Sequence, residues 1–314
     1  MALETARRSR LWQRPLEVAS TQLVVDPGLD LLRGPVAGRL LDLHDHPRLQ
    51  LEAFGIAVSP DTTQRLNRLV ARNLDKFTQV AVPSASFASI CNLPAGRTVV
   101  ATNGTDTQHI IPGPEPGDPV FAMVSGAAPG RGIELLVEAA DAVRLELPET
   151  RLRLALQPTG PASAAYLSDL RGRLRGMPWV TVESVPYASL SNFLAGAAVL
   201  AIPHPPHPYL DVATPVKLMD GMAAARPTVI TPRRETAAII ERREAGLVAG
   251  GETADDLAAP ILRLLTDSEL RARLGASARR AAVEEFDWRI IARNLADAVL
   301  GPEAPNVAVS DASA

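Results

Sequence analysis

The sequence predicts an α/β protein of two domains, the second built on a doubly wound parallel sheet. Three observations carry this. The 314 residues suit two domains of ordinary size. From residue 119 onward, short apolar runs alternate with segments of helical period. Two of the runs, AAVLAIP (197–203) and PTVITP (227–232), are unbroken, as in strands buried on both faces of a parallel sheet.

In the first part the alternation is weaker. TQLVVDP (21–27) and GRLLDLHD (38–45) read as strands ending in acidic loops. DTTQRLNRLVARNL (61–74) reads as a helix with Asp61 as its cap. FTQVAVPS (77–84) and RTVVATNG (97–104) read as strands ending in polar turns. Ser84 and Asn103-Gly104 are the turn residues, since Asn-Gly favours positive φ. IIPGPEPGDP (110–119), rich in Pro and Gly, is the expected linker.

Beyond it, PVFAMVSG (119–126) is a strand ending in glycine. GIELLVEAADAVRLEL (132–147) places Ile133, Leu135, Leu136, Ala139, Ala140 and Val143 at helical spacing. RLRLAL (151–156) alternates as a strand, AAYLSDLRGRL (164–174) is a helix, and VTVES (180–184) is a β-branched strand. VPYASLSNFLAG (185–196) is a helix with its stop glycine. A Pro/His-rich loop, HPPHPYLDVATP, and a helix, VKLMDGMAAA, separate the two buried runs. After Trp288, IIARNLADAVL is a closing helix, and GPEAPNVAVSDASA reads as a disordered tail. The expected division is 1–115, 116–287, a closing helix at 288–300 and a tail at 301–314.

Composition removes several classes. At 46% hydrophobic and 21% charged residues, the chain can build a core and is not globally disordered. A net charge of −3 gives no footprint for nucleic acid. A single cysteine, Cys91, excludes an internal disulfide and a cysteine metal cluster. No apolar run reaches the roughly 18 residues that span a bilayer. MALETARRSR lacks the apolar stretch of a signal peptide. A soluble cytoplasmic protein is the expectation.

The second half resembles the nucleotide-sugar half of GT-B glycosyltransferases, nearest to glycosyltransferase family 4. The resemblance runs from about residue 76 to 295. It rests on VAVPSASF with VVATNGTD, on VSGAAPGRGIELLVEAA, on VTVESVPYASLSNFLAGAAVLAIPH, on PVKLMDGMAAARPTVIT and on FDW (286–288), in that order. It implies two Rossmann-like domains facing each other across a cleft. It also implies sugar transfer from a nucleoside diphosphate sugar to an acceptor hydroxyl, with retention of anomeric configuration. The nucleotide sugar is then a co-substrate, and no cofactor or metal is expected. The acceptor is a small molecule, a lipid-linked species or a glycan.

Within the resemblance, Asp220 stands where the family usually has a glutamate that grips the ribose diol. Lys217 lies one turn earlier on the same face and is one of two lysines in the chain, the other being Lys76. Its compact ammonium suits a phosphate, and the helix N-terminus adds N–H groups and partial positive charge. The alternative is a solvated i,i+3 Lys–Asp pair. Arg131-Gly132 stands where the family has a basic residue and glycine before a helix, suited to close approach of phosphate; an exposed loop arginine is the other reading. Gly126 is expected in a tight turn near the diphosphate, with Gly130 giving the loop slack. Arg233 and Glu235 open the helix after PTVITP, at the same end or merely as a charged first turn.

Two departures from the family stand out. Counting back from Asp220 by the family's spacing of two acids lands on Val212; the nearest acid, Asp211, is the candidate for the donor sugar. The first domain, at about 115 residues, is shorter than usual, although LWQRPLEVAS (11–20) resembles an early helix of relatives. His44-Asp45-His46 follows a strand where relatives place a histidine or acid beside the reacting sugar. His44 could bond the sugar and Asp45 take the acceptor proton, or the three could form a polar turn. His44/His46 and His204/His207 lack a third ligand at metal spacing. The catalytic candidates are therefore His44, Asp45 and Lys217. The competing function is a non-catalytic glycosyltransferase-like subunit that binds a nucleotide or a partner protein, and a homodimer would cover a shortened domain's apolar surface.

Overall fold

The structure is a computed structural model that describes residues 3–5, 17–21, 39–53 and 58–300. The predicted tail at 301–314 and most of TQLVVDP lie outside these residues. The chain divides into two units: the described residues of 1–48, 59–101 and 289–314, and those of 49–58 and 102–288.

The first unit holds a five-stranded sheet of β1 (Leu3–Thr5), β2 (Glu17–Thr21), β3 (Arg39–Leu43), β4 (Gln79–Val82) and β5 (Thr98–Val100) in that spatial order. β1 runs antiparallel to β2, and the other pairs are parallel. The C-terminal half of LWQRPLEVAS, expected as helix, falls in strand β2. α1 (Pro47–Ala53) follows β3. α2 (Pro60–Leu74) is capped by Ser59, whose side chain accepts from Thr62 N, and not by Asp61, which sits in the first turn. Pro60 at the first helical position explains the shift: its fixed φ starts the helix one residue before Asp61. Ser84, expected as a turn residue, caps α3 (Ala85–Ile90). The closing helix α12 (Trp288–Leu300) places Ile291 against Leu40, Ala81 and Ala101.

The second unit is a six-stranded parallel sheet in the order β11 (Gly246–Val248), β10 (Thr228–Ile230), β9 (Val199–Ile202), β6 (Val120–Gly126), β7 (Arg151–Gln157), β8 (Val180–Glu183). Side chains alternate between its faces. Phe121, Met123, Val199 and Ala201 join one apolar layer with α4 (Ile133–Glu146), α5 (Pro161–Leu174) and α10 (Ala254–Thr266). Val120, Ala122, Leu200 and Ile202 join the other with α6 (Leu190–Ala195), α8 (Val216–Ala223), α9 (Arg234–Arg243) and α11 (Ser268–Glu285). The predicted loop between β9 and α8 contains a short helix, α7 (Pro208–Val212).

The Pro/Gly-rich stretch at 110–119 belongs to this unit. Arg226, buried to 2% exposure, donates to the carbonyls of Gly113 and Pro114 and pairs with Glu115, which also pairs with Arg271. Asn103 is not left-handed; its Nδ2 donates to Thr214 O at 2.7 Å, so the side chain serves as a tether.

Strand β11 approaches β10 so closely that a Cβ on Gly246 would stand 1.9 Å from Thr228 O. Gly246→Ala is therefore expected to cost about 1–3 kcal/mol, read as a lower midpoint in urea or thermal unfolding.

Candidate active site

In the second sheet the chain first runs β6, β7, β8 in one direction, then returns to β9, β10, β11 in the other. The order reverses between the neighbours β6 and β9, and ligands of such sheets bind in the crevice beyond the strand ends at that point. The residues that follow β6 and β9 are Ala127–Gly132 and Pro203–His207. They are pressed together: a Cβ on Gly132 would stand 1.7 Å from Pro203 O. Gly132 also has φ +75°, as Gly130 has φ +72°, both in the left-handed region that glycine tolerates. Gly130 thus shapes the loop. Gly126 does not form the expected tight turn; it is the last residue of β6, paired with Gln157.

Gly132 caps α4 without a side-chain hydrogen bond, and α8 likewise starts at Pro215 with no side-chain cap. Two helix N-termini therefore keep first-turn N–H groups for an anion. Glu134, the acid in the first turn of α4, is held by Tyr166 and Arg173 at 2.8 and 3.0 Å.

α8 is fixed by Leu218, Met219 and Met222, all fully buried. That anchoring carries Lys217 and Asp220 with it. Burial, and then the charge of Arg131, push Lys217 down from 10.5 to about 7, against the opposing pull of Asp220. Asp220 is 6% exposed. Burial raises its pKa to about 6, while Thr105, Lys217 and His109 work to lower it. Thr105 Oγ1 donates to Asp220 Oδ1 at 2.7 Å.

His204, which follows β9 and Pro203, is buried, and neither ring nitrogen has a hydrogen-bond partner. Burial first, then Lys217, Arg131 and Arg233, hold it well below 6.5, so it is neutral. Arg233 is buried and pairs with Asp211 at 3.0 Å and with Glu252. Asp211, expected near the donor sugar, is thus engaged by Arg233. His207 accepts from Tyr209 N and caps α7. Among the described residues no cluster of three or more His, Cys, Asp or Glu side chains is set to hold a metal ion.

Of the predicted residues, Arg131, Gly132, Lys217 and Asp220 come together at the switch point. His44 and Asp45 lie beyond the end of β3 in the first unit, where His44 Nε2 meets Asp42 Oδ1 at 2.8 Å. Sequence reasoning missed His204 as a member of the site, and Thr105. The signals were His204's place right after the unbroken run of β9 and Thr105's place in the NGTD turn.

The second unit is a doubly wound α/β sheet with lysine, arginine, helix N-termini and a buried acid at its switch point. Residues 118–267 match the family model described as Glycosyl transferases group 1. It is 27% identical over 242 residues to the MMP alpha-(1->4)-mannosyltransferase of Mycolicibacterium hassiacum, covering 72% of this chain and 54% of that enzyme. The chain spans about half the length of the curated relatives it matches. Sucrose-phosphate synthase from Thermosynechococcus elongatus superposes with a TM-score of 0.69 at 17% identity, covering 90% of this chain and 72% of that one. HepE from Anabaena, solved with UDP-glucose, gives a TM-score of 0.66 at 19% identity, covering 83% and 72%. These likenesses show the GT-B fold. Among the described residues no helix is long and apolar enough to cross a membrane.

Gly132→Ala combines a left-handed backbone with a clash on the Pro203 carbonyl. It is expected to lower the melting temperature, as read by thermal unfolding.

Proposed function

We propose that the protein transfers a hexose from a nucleoside diphosphate sugar to an acceptor hydroxyl, with retention. The single observation that carries this reading is α8, which brings Lys217 and Asp220 to the switch point beside Arg131. Its support comes from the mannosyltransferase relative and from the UDP-glucose complex of HepE.

The chemistry follows from the charges. The bond between the anomeric carbon and the β-phosphate oxygen breaks, and that oxygen gains negative charge. The acceptor oxygen bonds to the same face of the carbon, and its proton passes to the departing phosphate. Lys217, Arg131 and the uncapped N–H groups of α4 and α8 stabilise the developing charge. Asp220, ionised, accepts from the ribose hydroxyls. His44 and Asp45 remain candidate groups for the sugar or the acceptor. Asp211, paired with Arg233, acts on the sugar only if that pair opens.

Lys217→Ala should lower kcat by about 10²–10³ without lowering the melting temperature at pH 7. A lysine whose folded pKa lies near 7, below its ordinary 10.5, contributes no stability there. The folded chain gives up the proton first, so stability rises with pH between those values and the penalty is complete below the lower one. Equal turnover in the variant removes Lys217 from the site. Nucleotide binding without turnover of any nucleotide sugar supports the binding-subunit reading instead.

The same shift fixes a pH dependence. A bound diphosphate favours the ammonium, so binding takes up a proton as pH rises above about 7, and affinity falls. Calorimetry with UDP and GDP at alkaline pH, in two buffers of different ionisation enthalpy, measures that uptake; buffer-independent heats contradict it.

A further inference from the structure

We propose that Thr105 is a positioning residue for the nucleoside, holding Asp220 Oδ1 so that Oδ2 faces the ribose hydroxyls. The inference rests on the nucleotide-sugar reading above and adds a residue 115 positions away from the acid it serves.

The geometry is closed on every side of the threonine. Thr105 is 1% exposed. Its backbone N–H donates to Phe286 O at 2.8 Å, and its carbonyl accepts from Trp288 N at 3.0 Å. These two bonds form a parallel bridge with Asp287 between them. Asp287 is itself buried and accepts from the hydroxyl of Thr107 and from Thr107 N. The FDW turn therefore fixes the NGTD turn, the NGTD turn fixes Thr105, and the one rotatable group left, the hydroxyl, donates to Asp220 at 2.7 Å.

Chemistry says why such support is needed. Only an ionised carboxylate accepts from both ribose hydroxyls; a protonated one donates with one oxygen. Asp220 is enclosed, and burial favours its neutral form. Besides Thr105, the groups that act on it are Lys217 on its own helix and His109 beyond the NGTD turn, and Tyr187 in the turn after β8 feels its charge in return. His109 stacks on Tyr187 with ring centroids 4.6 Å apart, and its Nε2 meets Tyr187 O. Thr105 alone among these forms a hydrogen bond to the carboxylate. A donated O–H stabilises the charged form and stops the short side chain from rotating between its two oxygens.

The experiment compares the full-length wild type with Thr105→Val and Thr105→Ser. UDP, GDP and inorganic pyrophosphate are titrated calorimetrically from about pH 5 to about pH 8. The valine variant should bind the nucleoside diphosphate about tenfold more weakly at neutral pH. The acid limb of its affinity should move to higher pH, because loss of the hydroxyl raises the Asp220 pKa. Serine should restore both, and pyrophosphate affinity should stay the same in all three proteins. Ionisation of the ligand's own phosphates is common to every comparison. Should the valine variant unfold, Thr105→Ala takes its place with the same readouts: weaker nucleoside diphosphate affinity and a shifted acid limb with pyrophosphate affinity kept support the proposal, and no change in either overturns it. Unchanged affinity and an unchanged limb in folded Thr105→Val overturn it, as does a loss shared equally by pyrophosphate. A folded wild type that binds pyrophosphate but no nucleoside diphosphate overturns the donor reading itself, and this inference with it.

Discussion

Like charges forced close together organise the second unit. Lys217, Arg131 and Arg233 all act on the same buried histidine, and Arg131 makes the charge on Lys217 harder to hold. Nothing in the hydrophobic effect favours that grouping. It persists because the two apolar layers on either face of the sheet fix α4, α8 and α9 whatever their first turns carry. Stability is made by Leu136, Leu218, Met222 and Ile240, and the tension stands at the helix starts above them. A site held in this way gains more from a polyanion than a relaxed one, since the ligand removes repulsion as well as adding attraction.

Countercharge is rationed in the same region. Asp211 and Glu252 converge on Arg233, while Asp220 pulls on Lys217. The two acids have different partners: Asp220 stays on α8 with Thr105, and Asp211 serves the Arg233 guanidinium. Asp220 has a fixed neighbour in the threonine of the NGTD turn, which donates to its carboxylate.

How much of this was legible depended on whether the signal was local. The apolar runs at 119–126, 197–203 and 227–232 announced their strands because burial on both faces leaves no room for polar residues. Helical period puts Lys217 and Asp220 on one face, and it was the family resemblance that marked them as site candidates. β11 is three residues long, and α10 contains Pro260, so neither showed a clear period. α7 hides in a Pro/His-rich loop because a five-residue helix is set by its neighbours. The partners of Asp211 and Asp220 lie 22 and 115 positions away in sequence, and only the folded chain brings them into contact. Asn103 is a related case: turn chemistry predicts a backbone role, while a distant carbonyl, Thr214 O, recruits its side chain instead.

The clasp around residue 115 bears on how the second unit can be excised. Gly113, Pro114 and Glu115 supply acceptors for Arg226 and Arg271, two guanidinium groups almost without solvent. A fragment trimmed to begin at the first residue of β6 would look tidy by sequence, yet it would strand both cations in an apolar wall. The minimal autonomous piece must begin upstream of that clasp, so what reads as a spacer between modules is in fact part of one module's shell.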